Sequence, residues 1–209
     1  MKYLEFLTKL KKDKLYIFTL NDVEKYFPSS SKKTIQNQLQ LWEEKGFLLR
    51  LRRGVYMVQF PEGGPVLPDL YIANRIYEPS YVSLETALSF YGIIPEVAAE
   101  VTSITTRQTK IFKNEIGRFR YRSCRKEAYC GYKVMLYEGF EVLIAEREKA
   151  IVDFIYFKLR DGETFDLKEE RFDEEILNEI SWDKIFKYAE LCSKRTLKVV
   201  KKMRRQLKC

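Results

Sequence analysis

Between Thr19 and Val58 the hydrophobic pattern passes from two helical segments to two strand-like ones, and this limits what the first part of the chain can become. Leu20, Val23, Tyr26 and Phe27 recur at helical spacing and stop before Pro28, which disfavours helical backbone at the residue preceding it. After Pro28-Ser29-Ser30-Ser31, the residues Ile35, Leu39 and Trp42 cluster on one side of a helix running from about Lys32 to Lys45, with Gly46 as its left-handed cap. Phe47 to Leu51 and Val55 to Val58 then read as two strands around a tight turn, Arg52-Arg53-Gly54. Upstream, Tyr3, Phe6, Leu7 and Leu10 give a first helix, and Leu15 to Phe18 a short β-prone run. Thr19 with Asp22 fits a capping box. Helix, helix, turn, helix and a hairpin with a basic tip is the order of a winged helix-turn-helix, expected over residues 1–60.

The polar side of the third helix suits DNA. Asn and Gln amides can pair bidentately with adenine, and Lys can reach guanine or phosphate. Lys33, Gln36, Asn37 and Gln40 present those groups on the side opposite Ile35, Leu39 and Trp42. Ser30, Ser31 and Lys32 at the helix N-terminus suit a phosphate. Arg52 and Arg53 at the hairpin tip would reach the flanking backbone or the minor groove. The plainer alternative is a solvated polar face and turn that serve protein contacts.

Charge and composition narrow the chemistry. The net charge of +8 is uneven: residues 1–60 hold 12 basic and 6 acidic residues, 61–190 hold 18 and 24, and 191–209 hold 8 and none. A basic head and tail around an acidic middle suggest separate modules and a polyanionic partner. The 209 residues include no histidine, which excludes Ser-His-Asp and Cys-His nucleophiles and His-ligated zinc or haem. Neither standard phosphate-cradling glycine loop occurs. The 4 cysteines form no CxxC pair, so neither a zinc site nor a disulfide scaffold is expected. No signal peptide or membrane span is apparent, and a soluble, cytoplasmic protein without cofactor or metal is the expectation.

Beyond the turn-rich Pro61-Glu62-Gly63-Gly64-Pro65, residues 66–209 read as a mixed α+β domain, strands in the middle and helices at both ends. Leu70 to Tyr77 is a helix, Pro79-Ser80 a break, and Ser83 the N-cap of a helix ended by Gly92. Strands follow around Val101–Thr106, Ile111-Phe112, Gly117–Arg122, Gly131–Leu136 and Glu141–Ala145, then a mostly buried helix from Glu146 and two or three helices over 173–207. Arg118, Arg120 and Arg122 alternate with Phe119 and Tyr121, placing cations and aromatics on opposite strand faces, with an acidic partner or RNA phosphates as the alternative use of the arginines. Glu146, Glu148, Lys149 and Asp153 form the most enzyme-like cluster, though their helical spacings are also those of ordinary salt bridges. Asp166-Leu167-Lys168 has the acid–lysine spacing of restriction-type nucleases but lies beyond the strands. The tail from Lys194 to Lys208 reads either as a docked amphipathic helix with a solvated basic face or as an auxiliary nucleic-acid contact.

The stretches Tyr71-Ile72-Ala73-Asn74-Arg75-Ile76, Tyr81 to Gly92, Val101 to Arg107, Gly131-Tyr132 and Ala145 to Asp153 resemble the AbiEi family. With the N-terminal pattern in front, the resemblance covers most of the chain up to about residue 160. Members are antitoxins of type IV toxin–antitoxin (abortive infection) systems and related regulators of viral defence. The resemblance implies an N-terminal domain that represses its own operon, two copies sitting on an inverted repeat. It also implies an antitoxin-type C-terminal domain that antagonises a nucleotidyltransferase-like toxin without a stable complex, and no catalytic residues. A magnesium-dependent nuclease using the 146–153 carboxylates, with a winged-helix targeting domain, is the alternative from a different class; an interaction module is a third.

Overall fold

In the computed structural model, residues 2–60 and 63–207 are described. Pro61 and Glu62 of the expected linker, and Lys208 and Cys209 of the tail, lie outside the described residues. The chain forms two compact units, Met1–Leu67 with Phe112–Gly117, and Pro68–Ile111 with Arg118–Cys209.

The first unit runs α1 (Tyr3–Lys12), β1 (Ile17–Thr19), α2 (Leu20–Tyr26), α3 (Lys32–Glu44), β2 (Leu48–Arg52) and β3 (Val55–Val58). The Thr19–Asp22 capping box forms in both directions, satisfying two amides that the start of α2 would otherwise leave bare. At the end of α3 the Gly46 amide donates to Glu43 O and the Phe47 amide to Trp42 O, a Schellman closure that needs the positive φ of 71° at Gly46. Phe6, Phe18, Ile35, Leu39 and Trp42 build the core, with ring centroids 4.8 Å apart between Phe6 and Trp42 and 5.2 Å between Phe6 and Phe18. The β-prone run before Thr19 proves to be a third strand, since β1 pairs antiparallel with β3, giving the order β1-β3-β2. The hairpin turn is shorter than the sequence suggests. A register shift between Arg50 and Arg52 pairs Arg52 with Val55, so Arg52 belongs to β2 and the tip is Arg53-Gly54.

The second unit is mixed α+β. It comprises α4 (Asp69–Ile76), β4 (Ser80–Val82), α5 (Leu84–Phe90), β5 (Val101–Thr105), β6 (Lys110–Lys113), β7 (Arg118–Ser123), β8 (Tyr132–Tyr137), β9 (Phe140–Ala145), α6 (Arg147–Arg160), α7 (Glu174–Glu179), α8 (Trp182–Cys192) and α9 (Lys194–Gln206), the end of β6 lying in the segment that clusters with the first unit. The sheet order is β6-β7-β5-β4-β9-β8. β4 follows directly on Pro79, where only a break was expected, and pairs antiparallel with β5 and parallel with β9. Its three residues are fully buried and too few to show a period.

Ser83 does not cap α5 with its side chain, contrary to the sequence expectation. Its hydroxyl donates to Asp153 Oδ2 at 2.9 Å instead. Thr102 on β5 takes over the helix end: its hydroxyl accepts from the Thr86 amide at 3.2 Å and donates to Ser83 O at 2.7 Å. No helix among the described residues is long and apolar enough to cross a membrane.

The Gly46 closure sets where α3 hands over to β2. Gly46→Ala is expected to lower stability by about 1–2 kcal/mol, the cost of left-handed backbone with a side chain. Gly117, with ordinary φ and open space around a notional Cβ, is the control whose alanine variant should melt like the parent. Urea titration of the two variants checks the contrast.

Candidate nucleic-acid interface

The buried side of α3 decides which side chains reach solvent. Ile35, Leu39 and Trp42 are buried, so Lys33, Gln36, Asn37 and Gln40 are exposed on the other side. The side chains of Lys33, Gln36 and Asn37 make no hydrogen bond or ion pair among the described residues. Gln40 is less available, because its amide donates to Glu44 Oε1 at 3.1 Å. At the helix start, Ser31 is the N-cap and accepts from the Thr34 amide at 3.1 Å. The Ser30 amide donates to Phe27 O, closing the turn after α2, and Lys32 lies 3.7 Å from Glu24. The Ser31 hydroxyl and the Ser30 amide therefore already have structural partners, while the Ser30 hydroxyl has none among the described residues and Lys32 stays largely exposed.

The hairpin separates the two arginines expected at its tip. Arg53 is exposed. Arg52 is half-buried, donates to Arg53 O at 3.0 Å and sits over the Phe112 ring at 5.8 Å. The same edge accepts a hydrogen bond from Asn114 Nδ2 to Leu51 O at 3.0 Å, so the segment Phe112–Gly117 covers the Arg52 side of the hairpin. Arg50, which the sequence pattern did not single out, is exposed. It lines a groove of about 530 Å³ with Gln36, Gln40, Glu43 and Arg53. The signal for Arg50 was the Leu49-Arg50-Leu51 alternation, which turns the one charged residue outward. An exposed helix face carrying a lysine and two amides, next to two arginines of a hairpin, has the donors and acceptors to engage base edges and phosphates together.

In the second unit the arginine row behaves as alternation dictates. Phe119 and Tyr121 are buried, and the arginines lie on the opposite face. Each is paired: Arg118 and Arg120 with Glu100, and Arg122 through two hydrogen bonds, 2.9 and 2.7 Å, with Asp161. The Arg122 bonds hold the Asp161 carboxyl below its usual pKa, outweighing its partial burial. Arg120 and Arg122, with Glu100 and Asp161, line a cleft of about 610 Å³ in which carboxylates outnumber cations, and with each arginine paired the row offers no unpaired cationic face.

The enzyme-like cluster divides into two parts. Glu146 is the N-cap residue of α6 and accepts from Lys184 Nζ at 2.8 Å and Tyr188 OH at 3.0 Å, while Glu148 accepts from the Ser181 amide at 3.0 Å. Both carboxylates tie α6 to α8. Lys149 and Asp153 are 0% and 1% exposed and form an ion pair, and Asp153 also accepts from Tyr81 OH at 3.0 Å and Ser83 Oγ at 2.9 Å. Burial alone would lower the Lys149 pKa, but Asp153 more than offsets it and the ammonium is held charged. Burial, followed by the Asp153 charge, pushes Tyr81 up, so it remains a neutral donor. The nearby Cys124 and Cys192 thiols are raised to about 12 by burial, which keeps them protonated at neutral pH. Gly131 packs over this pair: a Cβ there would stand 2.7 Å from Tyr188 Cζ and 3.1 Å from Lys149 Cδ, at a φ of 71°. Asp166 and Lys168 form a surface turn in which Asp166 Oδ1 accepts from the Lys168 amide at 3.0 Å, with no strand beneath them. Among the described residues no group of three or more Cys, Asp or Glu side chains is placed to hold a metal ion.

No protein-family model matches the chain, and no curated protein matches it.

The buried pair gives a stability prediction. Lys149→Met leaves a carboxylate inside the core with only two hydroxyl donors and is expected to cost about 3–5 kcal/mol. Glu148→Gln, at the surface of the same helix, should cost under about 1 kcal/mol. Thermal and chemical denaturation of both variants measures the difference.

Proposed function

We propose that the first unit is a winged helix-turn-helix that reads double-stranded DNA through α3, and that the chain is a cytoplasmic transcriptional repressor and antitoxin of the AbiEi type. The observation that carries the DNA reading is the unpartnered set Lys33, Gln36 and Asn37 on the exposed face of α3, flanked by Arg50 and Arg53. Asn37 and Gln36 would pair with adenine edges, Lys33 would reach a guanine or a phosphate, and Arg53 would grip the flanking backbone. Arg52 drops out of the primary DNA-facing set because Phe112 lies against it.

The repressor and antitoxin roles rest on the resemblance of residues 71–153 to that family. On this reading two copies occupy an inverted repeat upstream of the gene, with half-sites about one helical turn or a multiple apart. The second unit antagonises a nucleotidyltransferase-like toxin without a stable complex. Lys149 and Asp153 are paired and buried, and Glu146 and Glu148 accept hydrogen bonds from α8 and its N-cap, so the repressor reading is preferred to the nuclease alternative.

The test is binding to the DNA just upstream of the gene, compared with random duplex of equal length. Asn37→Ala should cost roughly 1–3 kcal/mol on the upstream site and almost nothing on random DNA, while Arg53→Ala should weaken both alike. Equal losses for Asn37→Ala on the two duplexes would remove α3 as the reading element.

A further inference from the structure

The last helix carries a second surface of a different kind. In α9 (Lys194–Gln206), Thr196, Val200 and Met203 are buried against the second unit. Lys194, Lys198, Lys201, Lys202 and Arg205 are exposed. At about 100° per residue, these five cations fall within a stripe about 100° wide, centred opposite the buried side. The stripe runs about 17 Å along the helix at about 1.5 Å per residue. None of the five side chains makes an ion pair or hydrogen bond among the described residues. Residues 191–209 contain no acidic residue to relieve them.

This differs from the β7 arginine row and from α6, where Arg118, Arg120, Arg122 and Lys158 each have a carboxylate partner. A helix face that serves only solubility mixes signs, because like charges at i,i+4 repel. Here Lys194–Lys198, Lys198–Lys202 and Lys201–Arg205 all stand at that spacing, so the fold carries an uncompensated repulsion that an external polyanion would relieve.

We infer that the exposed stripe of α9 is a docking surface for the phosphate backbone of duplex DNA, independent of base sequence. Charge complementarity selects a polyanion. The helix itself has no aromatic side chain, and the half-buried Phe186 of α8 beside Lys201 and Arg205 is a single ring already covered by Arg204, so no row of rings is offered to unstacked bases, which disfavours a single strand. Thr196, Val200 and Met203 are buried and only the half-buried Leu197 and Val199 border the stripe, too little apolar surface, and none of it aromatic, for insertion into a lipid surface. The choice of DNA as the duplex rests on the proposed reading by α3, since a chain already held on DNA presents α9 to phosphates at high local concentration.

The test uses the full chain with Lys198→Gln, Lys201→Gln and Lys202→Gln combined. Binding to random duplex DNA is measured across a salt series, with Asn37→Ala and duplex RNA in parallel. The triple variant should lower the log–log salt slope by about two to three units, at about 0.9 for each phosphate no longer neutralised. It should preserve the ratio of upstream to random binding and melt no lower than the parent, because repulsion has been removed. An unchanged slope in a folded triple variant overturns the inference while leaving α3 untouched. Loss of discrimination in Asn37→Ala together with a lowered slope in the triple variant supports both surfaces. A lowered slope beside a silent Asn37→Ala supports α9 and removes α3. Tighter binding of the parent to duplex RNA than to duplex DNA, abolished in the triple variant, overturns the assignment to DNA.

Discussion

The burial of Ile35, Leu39 and Trp42 against Phe6 is the packing from which the interface follows. A helix with one apolar side has one way to sit on a core, and fixing that side fixes the opposite one. Trp42 is the anchor that matters most, since its ring meets both Phe6 and Tyr3, and Tyr3 in turn stacks on Phe47 where the chain enters β2. The same aromatic group therefore sets the rotation of α3 and the start of the hairpin. A helix rotated by one residue would turn Lys33 and Asn37 partly inward and lose the polar face as a unit.

The second unit depends on a different kind of interaction. Asp153 collects an ammonium and two hydroxyls inside the core, from α6, β4 and the Ser83 turn. A buried ion pair is weak evidence for stability, because its desolvation offsets much of the attraction. What it does supply is a geometric constraint: Asp153 meets both hydroxyls only where β4 and the turn before α5 pack against α6. Thr102 acts in the same way from β5, joining the Ser83 carbonyl and the Thr86 amide. Buried polar bonds thus join the same elements whose apolar side chains, among them Val82, Leu88 and Ile151, fill the core.

These two kinds of interaction explain which features were legible in the sequence. The α3 face was legible because period and side-chain type agree, and the Gly46 and Thr19 caps because they are local patterns. The role of Ser83 was not, since its partner Asp153 is far along the chain and a serine before a helix reads locally as a cap. β4 escaped because three buried residues have no period, and Arg52 reads as part of the turn because a register shift leaves no mark on composition. The cover that Phe112 gives Arg52 comes from a segment distant in sequence, which no local pattern announces. Among the residues expected to face DNA, Lys33, Gln36, Asn37 and Arg53 retain open side chains, and Arg50 joins them from the strand.

The central claim is that α3 carries sequence information while the surrounding cations carry affinity. The most direct measurement is selection of binding sites by the full chain from a pool of random duplex DNA, run beside a variant with Lys33, Gln36 and Asn37 all changed to Ala. The account predicts a defined motif for the parent, and for the variant retained duplex binding with no enrichment of that motif. The same motif emerging from both proteins would contradict it.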